Sequence, residues 1–583
     1  MLKSDPSGRV SNLSRGASPM SINLAAIENI VVLMFENRSF DHIFGALPGV
    51  DGVLLPDGTL KPDLYNVPYP TQPPSPHGSL ENPPIPPSPI DTSYQLPHDF
   101  NHDFGDGMMP DLFGPGTTGW VDGQAIGAPA ITYPATNSGF LTSTVFALKE
   151  KPQQGPSALT YFKKGSLKVL HTLAENFVVC DQWHCDMPGH TLPNRCFMHC
   201  ATTGNVGIAD DDSGTILNNT IFQMIEQQGK SWKMYTPLGQ LDSWWMNSYM
   251  QNSPNAGPLI QEFAQDLLQK SLPFYSFLMC WTSNSPTTDT SMHPKSPIQS
   301  GENYLAAVYN ALRASPYWEK TLLVVTFDEN GGMYDHVVPP AAVQPEPGTP
   351  QSIVNHYGTC STFDYTLLGP RIPALLISPW LAAGVDSTQY QNTSILRFIE
   401  DQLAPAQPLS LYLSARDLNA TSIAQAFNQF GLPTPRKDCL PSLTGYEKYA
   451  WFNGLASGPG PVDPAAEALP PSEHLVEVAR MYASGQPGHA DSGKPFDRKF
   501  ATVADLDRYV RQRAQAARWH REGVHENASI LVFEKAPQQW TWELMDGNGN
   551  LLALPHNTFP TRDLAIEELD KVKFLLHELC CAP

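Results

Sequence analysis

Residues 27–35 (IENIVVLMF) constrain this chain more than any other segment. They form a short, unbroken apolar run rich in β-branched side chains. Such a run reads as a central strand buried on both faces, the habit of parallel sheets. With no gap, it is followed by Glu36-Asn37-Arg38-Ser39-Phe40-Asp41-His42. These polar residues fall at the carboxyl end of the strand, the edge where open α/β sheets bind their ligands.

The pattern recurs. Residues 322–327 (LLVVTF) read as a second buried strand and lead directly into Asp328-Glu329. Further strands are predicted at 176–180, 231–235, 272–279 and 372–378, with helical patterns before or between them, notably 301–315 and 393–402. This alternation predicts an α/β fold: a mostly parallel central sheet with helices on both faces.

With 583 residues the chain is too long for one ordinary core, so we divide it. Residues 1–24 are polar and Ser-rich, as in a flexible leader. Residues 25–405 carry the strand–helix alternation. Residues 406–525 are a linker and helical extension, with a Pro- and Gly-rich stretch at 457–472 and helical patterns at 473–483 and 503–521. Residues 526–583 read as a small ββ(β)α unit, with strands at 530–534, 540–545 and 550–554 and a helix at 561–576. The region 48–145, rich in Pro, Gly, Asp and Asn, is a long excursion, and loops of that length are usually functional.

Charge excludes one class of partner. With 36 basic and 57 acidic residues the net charge is −21, which repels nucleic acid backbones. Anionic membranes are disfavoured for the same reason, whereas a zwitterionic or small phosphorylated substrate is not. Nine Cys are present, an odd count that argues against a full disulfide framework. Cys196 and Cys200 have zinc-like spacing but lack a second close pair, so they read as buried small residues, with at most one or two disulfides in the chain. Residues 1–24 have no apolar signal core, and no run of eighteen apolar residues occurs. The expectation is a cytoplasmic chain, or one exported without a cleaved N-terminal signal.

Three strand ends supply polar clusters: Glu36, Asn37, Ser39, Asp41 and His42; then Asp186 with His190, Thr191, Asn194 and Arg195; then Asp328, Glu329 and Asn330, with Asp335 and His336 behind. Carboxylate, amide and hydroxyl oxygens converging at one sheet edge suit a hard cation. A metal there lowers the pKa of a coordinated hydroxyl, and Thr191 supplies a hydroxyl that can act as nucleophile. Each cluster taken alone reads as structural, a solvated loop or helix cap, and it is the three together that point to a site. Asn37-Arg38-Ser39 also fits a glycosylation acceptor.

Five motifs in order resemble the bacterial and fungal phospholipase C and acid phosphatase family of phosphoesterases, within the alkaline-phosphatase-like superfamily. They are Glu36-Asn37-Arg38-Ser39-Phe40-Asp41-His42; Pro188 to Arg195; His293-Pro294 with Ser296-Pro297 and Gly301-Glu302-Asn303-Tyr304; Thr326 to His336; and Gly369-Pro370-Arg371-Ile372-Pro373 with Ile377 to Trp380. The resemblance spans about residues 26–403. It implies an alkaline-phosphatase-like α/β fold and hydrolysis of a phospholipid phosphodiester. It also implies divalent metal (zinc, calcium, magnesium or manganese) held by Glu36, Asn37, Thr191, Asp328 and Glu329. Thr191 would be the nucleophile, with His102 and His293 at the phosphate or leaving group. His336 is a further candidate for substrate contact or a structural role. Trp244, Trp245 and Tyr235, with Trp183 and Trp281, could wall a choline cation or simply anchor core and loops.

Where the family reads Asp-His-Thr-Ser, this chain has Gln391-Asn392-Thr393-Ser394, a departure bearing on a local structural or phosphate contact. The stretch from Phe533 to Asn550 resembles a small bacterial ββα repeat of unknown function, with a packing or self-association role expected. Membrane contact and a homo-oligomer are compatible with this picture. Two rival functions stay open: a broad acid phosphatase, and a weakly catalytic phosphocholine- or membrane-binding protein.

Overall fold

The computed structural model describes residues 24–62, 152–204, 218–236, 255–280, 296–346, 360–403 and 412–437, shorter pieces between them, and three strands within 528–553. His102, Trp244, Trp245, Trp281 and the helices expected at 473–483, 503–521 and 561–576 lie outside the described residues.

In chain order the main elements begin with β1 (Asn29–Phe35), α1 (Phe40–Phe44), α2 (Lys168–Asn176), β2 (Val178–Cys180) and α3 (Thr191–Cys200). Then come β3 (Trp232–Thr236), β4 (Ala256–Leu259), β5 (Tyr275–Met279), α4 (Ile298–Ala314) and β6 (Thr321–Phe327). The series closes with β7 (Leu375–Ile377), β8 (Gly384–Asp386) and α5 (Thr393–Leu403). They build one eight-stranded sheet in the order β8-β2-β7-β6-β1-β5-β3-β4. β7 runs antiparallel to both its neighbours, and the other pairings are parallel. The fold is α/β, as the alternation predicted.

Both central strands are buried along their whole length, seven residues each. A strand without an exposed face cannot alternate polar and apolar residues, which is why the two sequences read as unbroken apolar runs. Each large apolar side chain buried here contributes roughly 1.5–3 kcal/mol, so a charge inside β1 or β6 is intolerable. β4 and β8 were not foreseen. They are short and lack an apolar run, and pairing alone defines them.

Helix α2 is preceded by Leu167 at its N-cap, which gives no side-chain hydrogen bond. The carboxylate of Glu302 on α4 does that work from a distance, accepting the amides of Lys168, Val169 and Leu170 at 3.2, 2.8 and 3.0 Å. The Gly301-Glu302 motif is therefore structural in this part. Cys180, Cys185, Cys196, Cys200 and Cys280 are buried free thiols, as expected of small core residues. No helix among the described residues is long and apolar enough to cross a membrane.

Near the C-terminus, β9 (Ala528–Ala536), β10 (Gln539–Asp546) and β11 (Leu551–Ala553) form a separate antiparallel three-stranded sheet. These are the three strands read from the sequence.

Candidate active site

Sheet register assembles the site. Phe35 pairs with Phe327, so β1 and β6 end together and Glu36 and Asp328 emerge side by side. The Asp328 amide donates to the Phe35 carbonyl at 3.1 Å. Asn37 then turns into the left-handed region, φ +59°, which asparagine tolerates better than most residues. This turn lets its amide donate to Asp328 Oδ1 at 3.0 Å, beside the Glu329 amide at 2.7 Å. Gly331 makes the closure possible. Its φ is +64°, and a Cβ there would lie 2.3 Å from the Asn37 carbonyl oxygen.

Thr191 is the first residue of α3, ten residues long. Its hydroxyl donates to Asn37 Oδ1 at 3.2 Å. Asn194 shapes the turn that presents it. The Asn194 amide accepts from Met187 and donates to the carbonyls of Met187, Gly189 and His190, all at 3.0–3.2 Å. One helical turn after Thr191, on the same face, Arg195 reaches Asp328 Oδ2 at 3.1 Å and Glu36 Oε1 at 3.5 Å. The helix bearing the hydroxyl is thus tied to the carboxylates by a buried guanidinium.

His293 completes the group. Its Nε2 lies 3.1 Å from Asn37 Nδ2. An amide nitrogen only donates, so Nε2 accepts and the ring proton stands on Nδ1. The Asn37 side chain therefore bridges Thr191 on its oxygen and His293 on its nitrogen.

Burial pushes the Asp328 carboxyl above its ordinary range; Arg195 opposes that shift, and the neighbouring Glu36 adds to it. Closely set carboxylates that resist ionisation together are what a cation relieves. Glu36, Asp328, Glu329, the Asn37 amide oxygen and the Thr191 hydroxyl are all hard oxygen donors, and their chemistry fits a divalent metal.

A second cluster lies behind the first. One oxygen each of Asp41 and Asp335 and a ring nitrogen of His336 lie within 4.8 Å of one another, close enough to share a metal. Arg371 already fills that role. It reaches Asp335 at 2.8 Å and Asp41 at 3.0 Å, and also binds the carbonyls of Asp51 and Asp181. His336 Nδ1 meets Asp41 at 2.7 Å, and its Nε2 meets Asp51 at 3.2 Å. Burial disfavours charge on this ring, but Asp41 and Asp51 outweigh burial and pull His336 up to about 9. Asp41 is held below its usual value against the effect of burial, by His336 and Arg371. His336 thus belongs to a buried ion network; its described contacts are with that network and not with Thr191.

Two aromatic expectations are corrected. Tyr235 is buried on β3, its hydroxyl bonded to Asp266 at 2.6 Å and its ring edge-on to Phe263. Trp183 is buried with its Nε1 on Asn392 Oδ1 at 2.9 Å. Both are core anchors, because the runs that contain them face the interior. Asn392 itself is buried beneath β6 and donates to the carbonyls of Phe327 and Asp328 at 3.1 and 3.3 Å. Its place is structural, under the residue that leads into the site.

A family model described as the Phosphoesterase family matches residues 27–404. The chain belongs to the Phosphoesterase family. Among curated relatives, the "Non-hemolytic phospholipase C" of Burkholderia pseudomallei is 29% identical, covering 78% of this chain and 66% of that protein. The enzyme of the same name from Pseudomonas aeruginosa is 30% identical over 79% of this chain and 65% of its own length. "Non-specific phospholipase C5" of Arabidopsis thaliana is 28% identical, over 72% and 77%. The chain thus spans slightly less than two thirds of those bacterial relatives. A solved structure of an alkaline phosphatase superfamily protein from Vibrio parahaemolyticus overlaps at 13% identity and a TM-score of 0.27, covering 44% of this chain and 65% of that one. An overlap that small carries no argument.

Membership in this phosphoesterase family agrees with the motifs that suggested it. Arg38, Asn194 and Arg195 lay inside those motifs without an assigned role. For Arg195 the signal was available, since it stands four residues after Thr191.

Proposed function

We propose that this phosphoesterase is a metal-dependent phospholipase C, cleaving a phosphatidylcholine-like phosphodiester to diacylglycerol and a phosphorylated headgroup. The observation that carries the reading is the Asn37 side chain, bonded to Thr191 on one side and to His293 on the other, where β1 ends beside Asp328. Thr191 Oγ1 attacks phosphorus, forming a P–O bond as the lipid-side P–O bond breaks, and its hydroxyl proton passes to the lone pair we assign to His293 Nε2. Asn37 holds the hydroxyl in line, and the amides of the first turn of α3 favour the anionic phosphoryl group. The diacylglycerol oxygen leaves with a proton, for which His293, once protonated at Nε2, and His102 are the donors we assign. Water then cleaves the phospho-threonine and frees the headgroup phosphate.

Glu36, Asn37, Asp328, Glu329 and Thr191 would hold the metal, which when bound stabilises charge on the phosphoryl oxygens and the attacking hydroxyl. Arg195 keeps Glu36 and Asp328 apart from bulk solvent and in register with Thr191. The net charge of −21 favours a zwitterionic over an anionic lipid surface.

The test is release of phosphocholine from phosphatidylcholine vesicles, compared with hydrolysis of nitrophenyl phosphate, before and after chelation. We expect diester cleavage that chelator abolishes and added divalent metal restores. Turnover of the monoester alone would replace this reading with a broad phosphatase, and vesicle binding without release would replace it with a binding protein.

A further inference from the structure

Arg38 is buried, and three of its contacts run to one short loop. Its Nε donates to the Met292 carbonyl at 2.6 Å, and its Nη2 to the carbonyls of His293 and Pro294 at 3.0 and 3.4 Å. On the other side Nη1 lies 2.9 Å from His42 Nε2, and His42 Nδ1 lies 2.7 Å from the Thr160 carbonyl. A carbonyl only accepts, so His42 carries its proton on Nδ1 and offers the Nε2 lone pair to Arg38. The donations therefore run from Arg38 to His42 and from His42 to the Thr160 carbonyl.

The loop that Arg38 holds is also tied by Ser296 N to the His293 carbonyl at 2.8 Å and by His293 N to Ser291 Oγ at 3.1 Å, yet it contains a strained residue. Met292 has φ +64°, an unfavourable region for a bulky residue. Its side chain is clamped against Gly301, where a Cβ would lie 2.3 Å from Met292 Cγ. Just beyond this strained residue, His293 turns Nε2 to Asn37.

We propose that Arg38, oriented by His42, is the positioning residue for His293, pinning the 292–294 carbonyls so that the ring faces Asn37 and, through it, Thr191. The proposal rests on the role given to His293 in the preceding section. It also explains adjacency in the motif. Asn37 meets the His293 ring from the front while Arg38 holds its backbone from behind, so two consecutive residues fix the histidine relative to the nucleophile.

The test is a kinetic cycle on the full chain with a soluble diester, p-nitrophenyl phosphocholine. Arg38→Lys keeps the charge but loses the planar fork that spans several carbonyls. We expect kcat to fall about 10- to 100-fold with KM nearly unchanged, the size of effect that small misplacement of a reacting group produces. His42→Gln should give a smaller fall, and the double variant should be no worse than Arg38→Lys alone. In a His293→Ala background, Arg38→Lys should cause no further loss. Loss by the same factor with and without His293 would show a general structural role and overturn the proposal, as would full activity of Arg38→Lys. If His293→Ala itself turns over like the parent, the assignment of His293 fails and takes this proposal with it. Should Arg38→Lys not fold, His42→Gln with and without His293 reads the same coupling, since it leaves Arg38 in place.

Discussion

Two buried clusters grow from the same pair of motifs and do different work. The leading halves, Glu36-Asn37 and Asp328-Glu329, face Thr191 and His293. The trailing halves, Asp41 and Asp335-His336, lock onto Arg371. In the trailing cluster charge is balanced: Asp41, Asp51 and Asp335 are met by Lys61, His336 and Arg371. In the leading cluster the carboxylates outnumber the guanidinium of Arg195 that pairs with two of them. Spacing alone marks the trailing cluster as the better metal site, yet its charge is already compensated. Proximity of ligand atoms therefore counts for less than the kind of charge set around them.

The comparison can be broken most sharply at Thr191. Thr191→Ala should lower turnover by about a thousandfold or more, as loss of a nucleophile does, while the thermal midpoint stays near that of the parent. Retained turnover in an initial-rate assay would end the claim that the leading cluster is catalytic.

Arg371→Gln probes the other side. It strands Asp41 and Asp335 without their cation, and breaking a buried pair costs about 3–5 kcal/mol. Urea unfolding should show that loss. Rescue of the variant's stability by divalent metal would mean that the trailing cluster is a cation site after all.

Asn392→Ala should cost less, about 1–3 kcal/mol, because it removes buried hydrogen bonds to the Phe327 and Asp328 carbonyls and leaves Trp183 Nε1 without its acceptor. Urea unfolding measures this too. If metal affinity fell with no change in stability, Asn392 would belong to the site and not to its support.

The smallest effect is one of pH. His336 is raised from 6.5 to about 9 in the folded chain. Its pairing with Asp41 and Asp51 is then fully present below about pH 6.5 and fades as pH rises through 9. The stability gap between the parent and His336→Gln should accordingly be widest near pH 6 and close toward pH 10. A gap that does not change over that range would remove His336 from the ion network.

Much of this was legible in the sequence. The runs at 27–35 and 322–327 announced the two central strands found at 29–35 and 321–327, because burial on both faces leaves no room for alternation. The residues that follow them announced the site, since a parallel sheet delivers its strand ends to one edge. The aromatic residues left two readings open for an equally physical reason. Tyr235 and Trp183 carry polar atoms at the end of apolar rings, and such a residue serves a core as readily as a ligand wall. Asp266 and Asn392, distant in sequence, decide the matter.

By itself the sequence determined the α/β class, the polar residues at the strand ends and the oxygen-rich set of side chains among them. These depend on local pattern and residue type. The tertiary structure alone decided the pairing Phe35 with Phe327, the division of each motif into a half beside Thr191 and a half bound to Arg371, and the grip of Arg38 and Arg195. Those facts depend on which distant residue answers a buried charge or carbonyl, and that is set only when the chain closes on itself.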